Sequence, residues 1–67
     1  MKNLGETIKS LRLEREWTQM QLAKKVGVSY GMISMWENNV NEPKAFYVKK
    51  LAQVFEISTD YLLNMDE

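Results

Sequence analysis

Apolar residues recur every three or four positions along most of the chain, and this spacing predicts α-helices. The first helix is expected to start with Asn3 as N-cap and Glu6 as its reciprocal partner, and to run to about Arg15. Its apolar positions are Leu4, Ile8 and Leu11. No run of four or more residues shows the strict alternation of a half-buried strand, so the sequence predicts an all-α fold.

Two short helices follow, separated by a glycine. Thr18 and Gln21 form a T-x-x-Q capping box at the start of the second helix, and Gly27 is expected to end it in a left-handed conformation. Ser29 is placed to cap the third helix, which should end at the asparagines in positions 38 and 39 because asparagine tolerates a positive φ. The apolar positions of these helices are Leu22, Ala23, Val26, Ile33 and Trp36.

The rest of the chain predicts a loop and two more helices. Residues 40–42 are expected to form the loop, and Pro43 to begin the fourth helix in its first turn. Either Phe46 or Tyr47 lies on the apolar side of that helix. The other apolar positions on that side are Val48, Leu51, Ala52 and Phe55.

Ser58 is placed to cap a short fifth helix, from Thr59 to about Leu63, in which Leu62 and Leu63 close the core. The chain contains no internal repeat and no linker long enough to separate domains. We therefore expect residues 1–67 to form one compact five-helix bundle.

Composition argues against most enzyme mechanisms. The 67 residues include no cysteine and no histidine, so the usual zinc ligands, an imidazole base and a thiolate nucleophile are all absent. We expect no enzymatic activity, no metal, no cofactor and no small-molecule substrate. No apolar run approaches the length that spans a bilayer, and residues 1–13 do not resemble a signal peptide. The sequence therefore predicts a cytoplasmic protein without a membrane partner.

The formal net charge of zero conceals an uneven distribution. Residues 1–50 hold all nine Lys and Arg against five Asp and Glu, a charge of +4, and residues 51–67 hold four acidic residues and no base. Such a chain can present a positive face to a polyanion. From charge alone, the better explanation is an ordinary solvated surface on which the signs segregate.

The segment from Gln19 to Trp36 carries the functional signal. Two helices joined by three or four residues around a glycine must cross at a steep angle, which requires a small residue where the backbones meet. Ala23 occupies that position, one turn before Gly27. This register is typical of the DNA-binding helix-turn-helix formed by the second and third helices.

At these residues the sequence resembles the helix-turn-helix family of lambda-type phage repressors, Cro proteins and XRE-type bacterial regulators, over nearly the whole chain. The matching segments are I-K-S-L-R at 8–12, T-Q-M-Q-L-A-K-K-V-G-V-S at 18–29, I-S-M-W-E-N at 33–38 and L-A-Q-V-F-E-I-S-T-D-Y-L-L at 51–63. The resemblance implies a five-helix bundle that binds a roughly palindromic double-stranded operator as a homodimer and represses or switches transcription.

The resemblance also implies that Arg12 in the first helix pairs with Glu37 at the end of the third. The residues agree with this pairing, because an Arg and a Glu flanked by core positions are costly to bury without a partner.

The start of the third helix is the candidate for base contacts, because the first residues of a recognition helix reach base edges in the major groove. The expected contacts are Ser29, Tyr30, Gly31, Ser34 and Met35. An exposed Tyr30 could lay its ring against a thymine methyl, and the alternative is a ring folded back over the helix. Met35 is apolar where the family often has arginine, lysine or glutamine.

Residues 26–43 contain no basic residue, and Val40 and Asn41 stand where many relatives have lysine or arginine. Phosphate contacts are therefore expected from the start of the second helix and from cations elsewhere. In the family that the sequence resembles, the glutamine that matches Gln19 contacts a phosphate. The expected phosphate contacts are Thr18, Gln19, Lys9, Arg15, Lys24, Lys25 and Lys44. The small number of cations predicts modest affinity and a shallow salt dependence.

Two further surfaces have competing interpretations. The resemblance puts dimer contacts near the C-terminal end. The candidates are Phe55, Glu56, Ile57 and Tyr61, together with Met65. For Phe55 and Ile57, packing in the core is the alternative. The methionines at positions 20, 32 and 35 could form a soft apolar patch that binds a protein helix. A protein-interaction module, such as an antitoxin or anti-repressor partner, is therefore the second hypothesis.

Overall fold

The predicted helical periodicity is confirmed. A computed structural model describes the backbone of residues 4–64 and the side chains of residues 4–63, and in that range the chain forms five α-helices and no strand. The helices are α1 (Leu4–Glu14), α2 (Gln19–Val26), α3 (Tyr30–Glu37), α4 (Ala45–Phe55) and α5 (Thr59–Asn64). Among these residues no helix is both long enough and apolar enough to cross a membrane. The proposed cap Asn3 and the proposed surface residue Met65 lie outside the described residues.

Side-chain caps set the helix boundaries as the sequence predicts. The Thr18 Oγ1 accepts a hydrogen bond from the Gln21 N–H at 3.0 Å, and the Gln21 side chain accepts one from the Thr18 N–H at 2.7 Å. Gly27 ends α2 with φ of 89°, a conformation that costs other residues a Cβ clash. Ser29 and Ser58 cap α3 and α5 through hydrogen bonds of 3.1 and 2.9 Å from backbone N–H groups.

The predicted start of α4 at Pro43 is wrong by two residues. Lys44 is the N-cap, in an extended conformation, and its carbonyl accepts the first bonds of the helix from the Tyr47 and Val48 N–H groups at 2.8 and 3.0 Å. Pro43 is buried and precedes this cap. It therefore belongs to the loop after α3 and not to the first turn of α4.

The core consists of apolar side chains from all five helices. The buried apolar residues are Ile8, Leu11, Leu22, Ala23, Val26, Ile33, Trp36, Val48, Leu51, Ala52, Phe55 and Leu62. Of the two candidates on α4, Tyr47 packs against this core, with its ring centroid 5.6 Å from that of Trp36, whereas Phe46 is 68 % exposed. The prediction that Leu63 closes the core is wrong: it is 49 % exposed, because adjacent residues of a helix point about 100° apart and Leu62 occupies the inward position.

A close approach between α1 and α3 fixes the position of α3. Gly5 is buried, and a Cβ at this residue would collide with the Trp36 carbonyl oxygen and lie 2.7 Å from the Asn39 Oδ1. A glycine is therefore required where the start of α1 meets the end of α3. This requirement does not follow from the spacing of apolar residues, which is the same with alanine at this position.

Candidate nucleic-acid interface

The start of α3 forms an open ridge on the molecule. Ser29, Tyr30 and Gly31 are exposed, with half of the Tyr30 surface accessible, and Ser34 and Met35 are half-buried further along the helix. The Ser29 Oγ accepts from the Met32 N–H, so this residue orders the first turn while its hydroxyl hydrogen stays free to donate. The structure thus brings all five candidate base-contacting residues together on one short helix. We name residues 29–35 the α3 ridge.

A buried ion pair holds the far end of α3, and this confirms the pairing that the sequence suggested. The Arg12 Nε donates to the Glu37 Oε2 at 2.7 Å and its Nη2 to the Oε1 at 3.1 Å, and only 9 % and 2 % of the two side chains are exposed. The Arg12 Nη1 also donates to the Trp17 carbonyl at 2.8 Å. This bidentate geometry satisfies the buried guanidinium and links α1, the turn before α2, and α3.

Gln19 adds α2 to the same network. Its Nε2 donates to the Glu37 Oε1 at 2.9 Å, across 18 positions in sequence, so the side chain is oriented by α3. One Nε2 hydrogen is engaged in this bond, which leaves the second one for a phosphate. The sequence placed Gln19 at a helix start but carried no signal for this bond, because the partner lies on another helix.

Two of the candidate phosphate-binding cations, Arg15 and Lys25, have partners within the domain. The Arg15 Nη2 donates to the Phe55 carbonyl at 2.6 Å, and the guanidinium carbon lies 5.1 Å from the centroid of the Phe55 ring. Arg15 therefore satisfies the last turn of α4, where carbonyls lack intrahelical partners. The Lys25 Nζ lies 4.6 Å from the Trp17 ring, a cation–π contact.

The other candidate cations, Lys9, Lys24 and Lys44, are exposed, as is Lys25. Lys44 is the N-cap of α4, and no side chain caps the first N–H groups of this helix. Those groups carry a partial positive charge, so they and Lys44 together form an arrangement that favours an anion.

Three of the five helix starts lack an acidic residue, which favours the approach of an anion at those three. The first turns of α2, α3 and α4 contain no acidic residue, whereas the first turns of α1 and α5 contain Glu6 and Asp60. A carboxylate in the first turn stabilises a helix, and it also repels an incoming anion. The three helix starts without a carboxylate are the start of α3, which belongs to the α3 ridge, and the starts of α2 and α4, which lie on either side of it in sequence.

The candidate dimer surface is only partly exposed. Phe55 is fully buried and stacks on Trp17, with 6.0 Å between ring centroids, so its assignment to an intermolecular surface is wrong. Ile57 is half-buried against the core. Glu56 and Tyr61 are exposed, the latter by 57 %, and they remain candidates for contact with a second copy.

The three methionines that suggested an apolar docking patch differ in exposure. Met20 is 53 % exposed, but Met32 is half-buried against the core, and Met35 is half-buried with its sulfur 3.9 Å from the Asn41 Nδ2. Most of the apolar surface of this group is therefore used inside the domain.

Comparison with known proteins agrees with the geometry. A family model described as "Helix-turn-helix" matches residues 8–62. The HTH-type transcriptional regulator ImmR of Bacillus subtilis (strain 168) is 32 % identical over 65 residues, which cover 97 % of this chain and 51 % of the relative. The Repressor protein C2 of Salmonella phage P22 is 38 % identical over 63 residues, which cover 94 % of this chain and 29 % of that protein.

A solved structure of the P22 c2 repressor in complex with a synthetic operator superposes with a TM-score of 0.88 at 36 % identity, covering 98 % of this chain and 100 % of the other. Fold and surface thus define a helix-turn-helix domain of the repressor type. The chain belongs to the lambda-repressor-like helix-turn-helix family, which includes the XRE-type regulators. It spans about half, or less, of the length of these two curated relatives.

Proposed function

We propose that this chain is a sequence-specific DNA-binding transcriptional regulator, a repressor, which inserts α3 into the major groove of operator half-sites. The observation that carries the proposal is the open α3 ridge, capped by Ser29 and held at its other end by the buried Arg12–Glu37 pair. The similarity to a repressor solved in complex with a synthetic operator supports the same function.

The proposed contacts divide into those that specify sequence and those that position the domain. Ser29, Tyr30, Gly31, Ser34 and Met35 face the base edges. Thr18 and Gln19 at the start of α2, with Lys9, Lys24 and Lys44, bind phosphates. We propose no enzymatic step, cofactor or metal for this function.

The proposed active form is a homodimer on a palindromic double-stranded operator. Recognition helices related by a two-fold axis read half-sites about one helical turn apart, roughly 34 Å. Glu56 and Tyr61, both exposed, contribute to the contact between copies, with the half-buried Ile57 beside them.

Tyr30→Ala tests the proposal at the residue expected to read bases. An operator is first selected from a random DNA pool, and binding is then measured by fluorescence anisotropy on the operator and on random-sequence DNA. Loss of a base contact is expected to weaken operator binding by roughly 10- to 100-fold and to change random-sequence binding by less than about twofold. Equal losses on both DNAs would refute the base-reading role.

Leu13→Ala is the matched control, because Leu13 is an apolar side chain of similar exposure, 53 %, and is not one of the proposed contacts. It is expected to leave both affinities unchanged. Failure of the wild-type chain to retard any DNA below about 100 μM in low salt would favour the protein-interaction module instead, since nonspecific dissociation constants are typically about 10⁻⁴ to 10⁻⁶ M.

A further inference from the structure

Gly31 is a glycine that the fold does not require. A Cβ at this residue would approach only the Ser29 Oγ, at an ordinary 3.9 Å, and the backbone is not in the left-handed region. The other two glycines differ, because Gly5 has no room for a Cβ and Gly27 has φ of 89°. Glycine is less favourable in a helix than every residue except proline, so its presence in α3 weakens the helix without an internal reason.

The missing side chain leaves a notch on the α3 ridge. Positions three and four residues after a helical residue lie beside it on the same face, and for Gly31 these are Ser34 and Met35. Neither side chain comes within 4 Å of the point where a Cβ would stand, and the Met35 sulfur contacts Asn41 in the loop after α3. The notch is therefore open to solvent, next to the exposed Tyr30.

We propose that this notch receives the C5 methyl group of a thymine and that Gly31 sets a preference for thymine at one operator position. This inference rests on the proposed function. Thymine is the only base with an apolar group projecting into the major groove, and a methyl group is the size of the Cβ that glycine lacks. An alanine at position 31 and a thymine methyl would compete for the same space.

The test combines a protein substitution with the removal of one methyl group from the DNA. Each thymine of the selected operator is replaced in turn by deoxyuridine, which differs only by lacking the C5 methyl, and binding is measured by anisotropy for the wild type and Gly31→Ala. At one position the wild type is expected to lose about tenfold in affinity with deoxyuridine. Gly31→Ala is expected to bind the thymine operator about tenfold more weakly, and to recover when that same thymine becomes deoxyuridine.

Thermal unfolding separates this effect from misfolding. Gly31→Ala is expected to raise the melting temperature, because alanine is the better helix former and its Cβ meets no close neighbour. Ser10→Ala, at an exposed position of α1, is the matched control: it improves helix propensity outside the ridge and is expected to leave the thymine preference unchanged.

Two results would overturn the inference while leaving the proposed function intact. The first is Gly31→Ala binding the thymine operator as tightly as the wild type. The second is equal wild-type affinity at every thymine-to-deoxyuridine position. A wild-type chain that binds no DNA would overturn the inference and the proposed function together.

Discussion

At the scale of single residues, the Arg12–Glu37 pair is a contact that holds α3 in position. Both side chains are buried, and Gln19 and the Trp17 carbonyl complete the hydrogen bonds around them. Burying two charges is costly, so desolvation offsets much of the attraction within the pair. The cost becomes visible when one partner is removed and the other stays buried.

Arg12→Ala is therefore expected to lower the free energy of unfolding by roughly 3 kcal/mol, because the Glu37 carboxylate loses its bidentate partner. Urea denaturation followed by circular dichroism measures this loss, and operator binding should weaken in parallel. Glu14→Ala is the contrasting control, since it removes only a 3.9 Å contact between Arg15 and a carboxylate that is 66 % exposed. The control should cost less than about 1 kcal/mol, and an unchanged Arg12→Ala protein would show that the pair does not form.

At the scale of elements, the domain depends on how closely α1 approaches α3. Gly5 allows the α1 backbone to meet the Trp36 carbonyl. Ile8 and Leu11, one and two turns further along the same helix, are buried in the core. Helix α3 is thus held by α1 at its end, while its start, the α3 ridge, protrudes. A displacement of α1 would move the whole ridge.

Gly5→Ala is expected to destabilise the domain by about 1–3 kcal/mol, because the added methyl group forces two packed backbones apart. Gly31→Ala makes the same chemical change where the Cβ has space, and it should be stabilising. Thermal unfolding of the two variants side by side checks this contrast. Similar melting temperatures for both would mean that α1 and α3 do not approach as closely as the structure has them.

At the scale of the whole molecule, positive and negative charges lie at opposite ends of α4. Lys44 stands at the start of that helix and Glu56 follows its end, about 18 Å away at 1.5 Å per residue. Glu56 is therefore separated from the start of α4, one of the helix starts that favour phosphates. The net charge of zero does not prevent one side from attracting a polyanion.

The number of free cations sets the expected salt dependence. With Lys9, Lys24 and Lys44 as the proposed phosphate contacts, log K against log salt should have a slope of roughly −3 per protomer. Anisotropy titrations between about 50 and 200 mM KCl on random-sequence DNA measure it. Lys44→Ala should make the slope shallower by about 1, whereas Lys25→Ala should leave it unchanged because that ammonium lies over Trp17.

A slope steeper than about −5 would contradict this account, because more cations than Lys9, Lys24 and Lys44 would then have to bind phosphates.

The elements of this protein follow from its sequence because the interactions that define them are local. Thr18, Ser29 and Ser58 cap backbone groups three residues away, Gly27 adopts a conformation that suits glycine, and apolar spacing identifies the buried faces. The ridge that carries the candidate site could be located in the same way, since it lies within one helix and its cap.

Tertiary structure alone decided the contacts between residues distant in sequence. The bond from Arg15 to Phe55 spans 40 positions and that from Gln19 to Glu37 spans 18, so no periodic pattern encodes either of them. Likewise, adjacent residues such as Leu62 and Leu63 are equally apolar, and only the direction in which α5 packs makes one buried and the other exposed. Side-chain type limits the partners that a residue can have, and the relative placement of the helices determines which partner it meets.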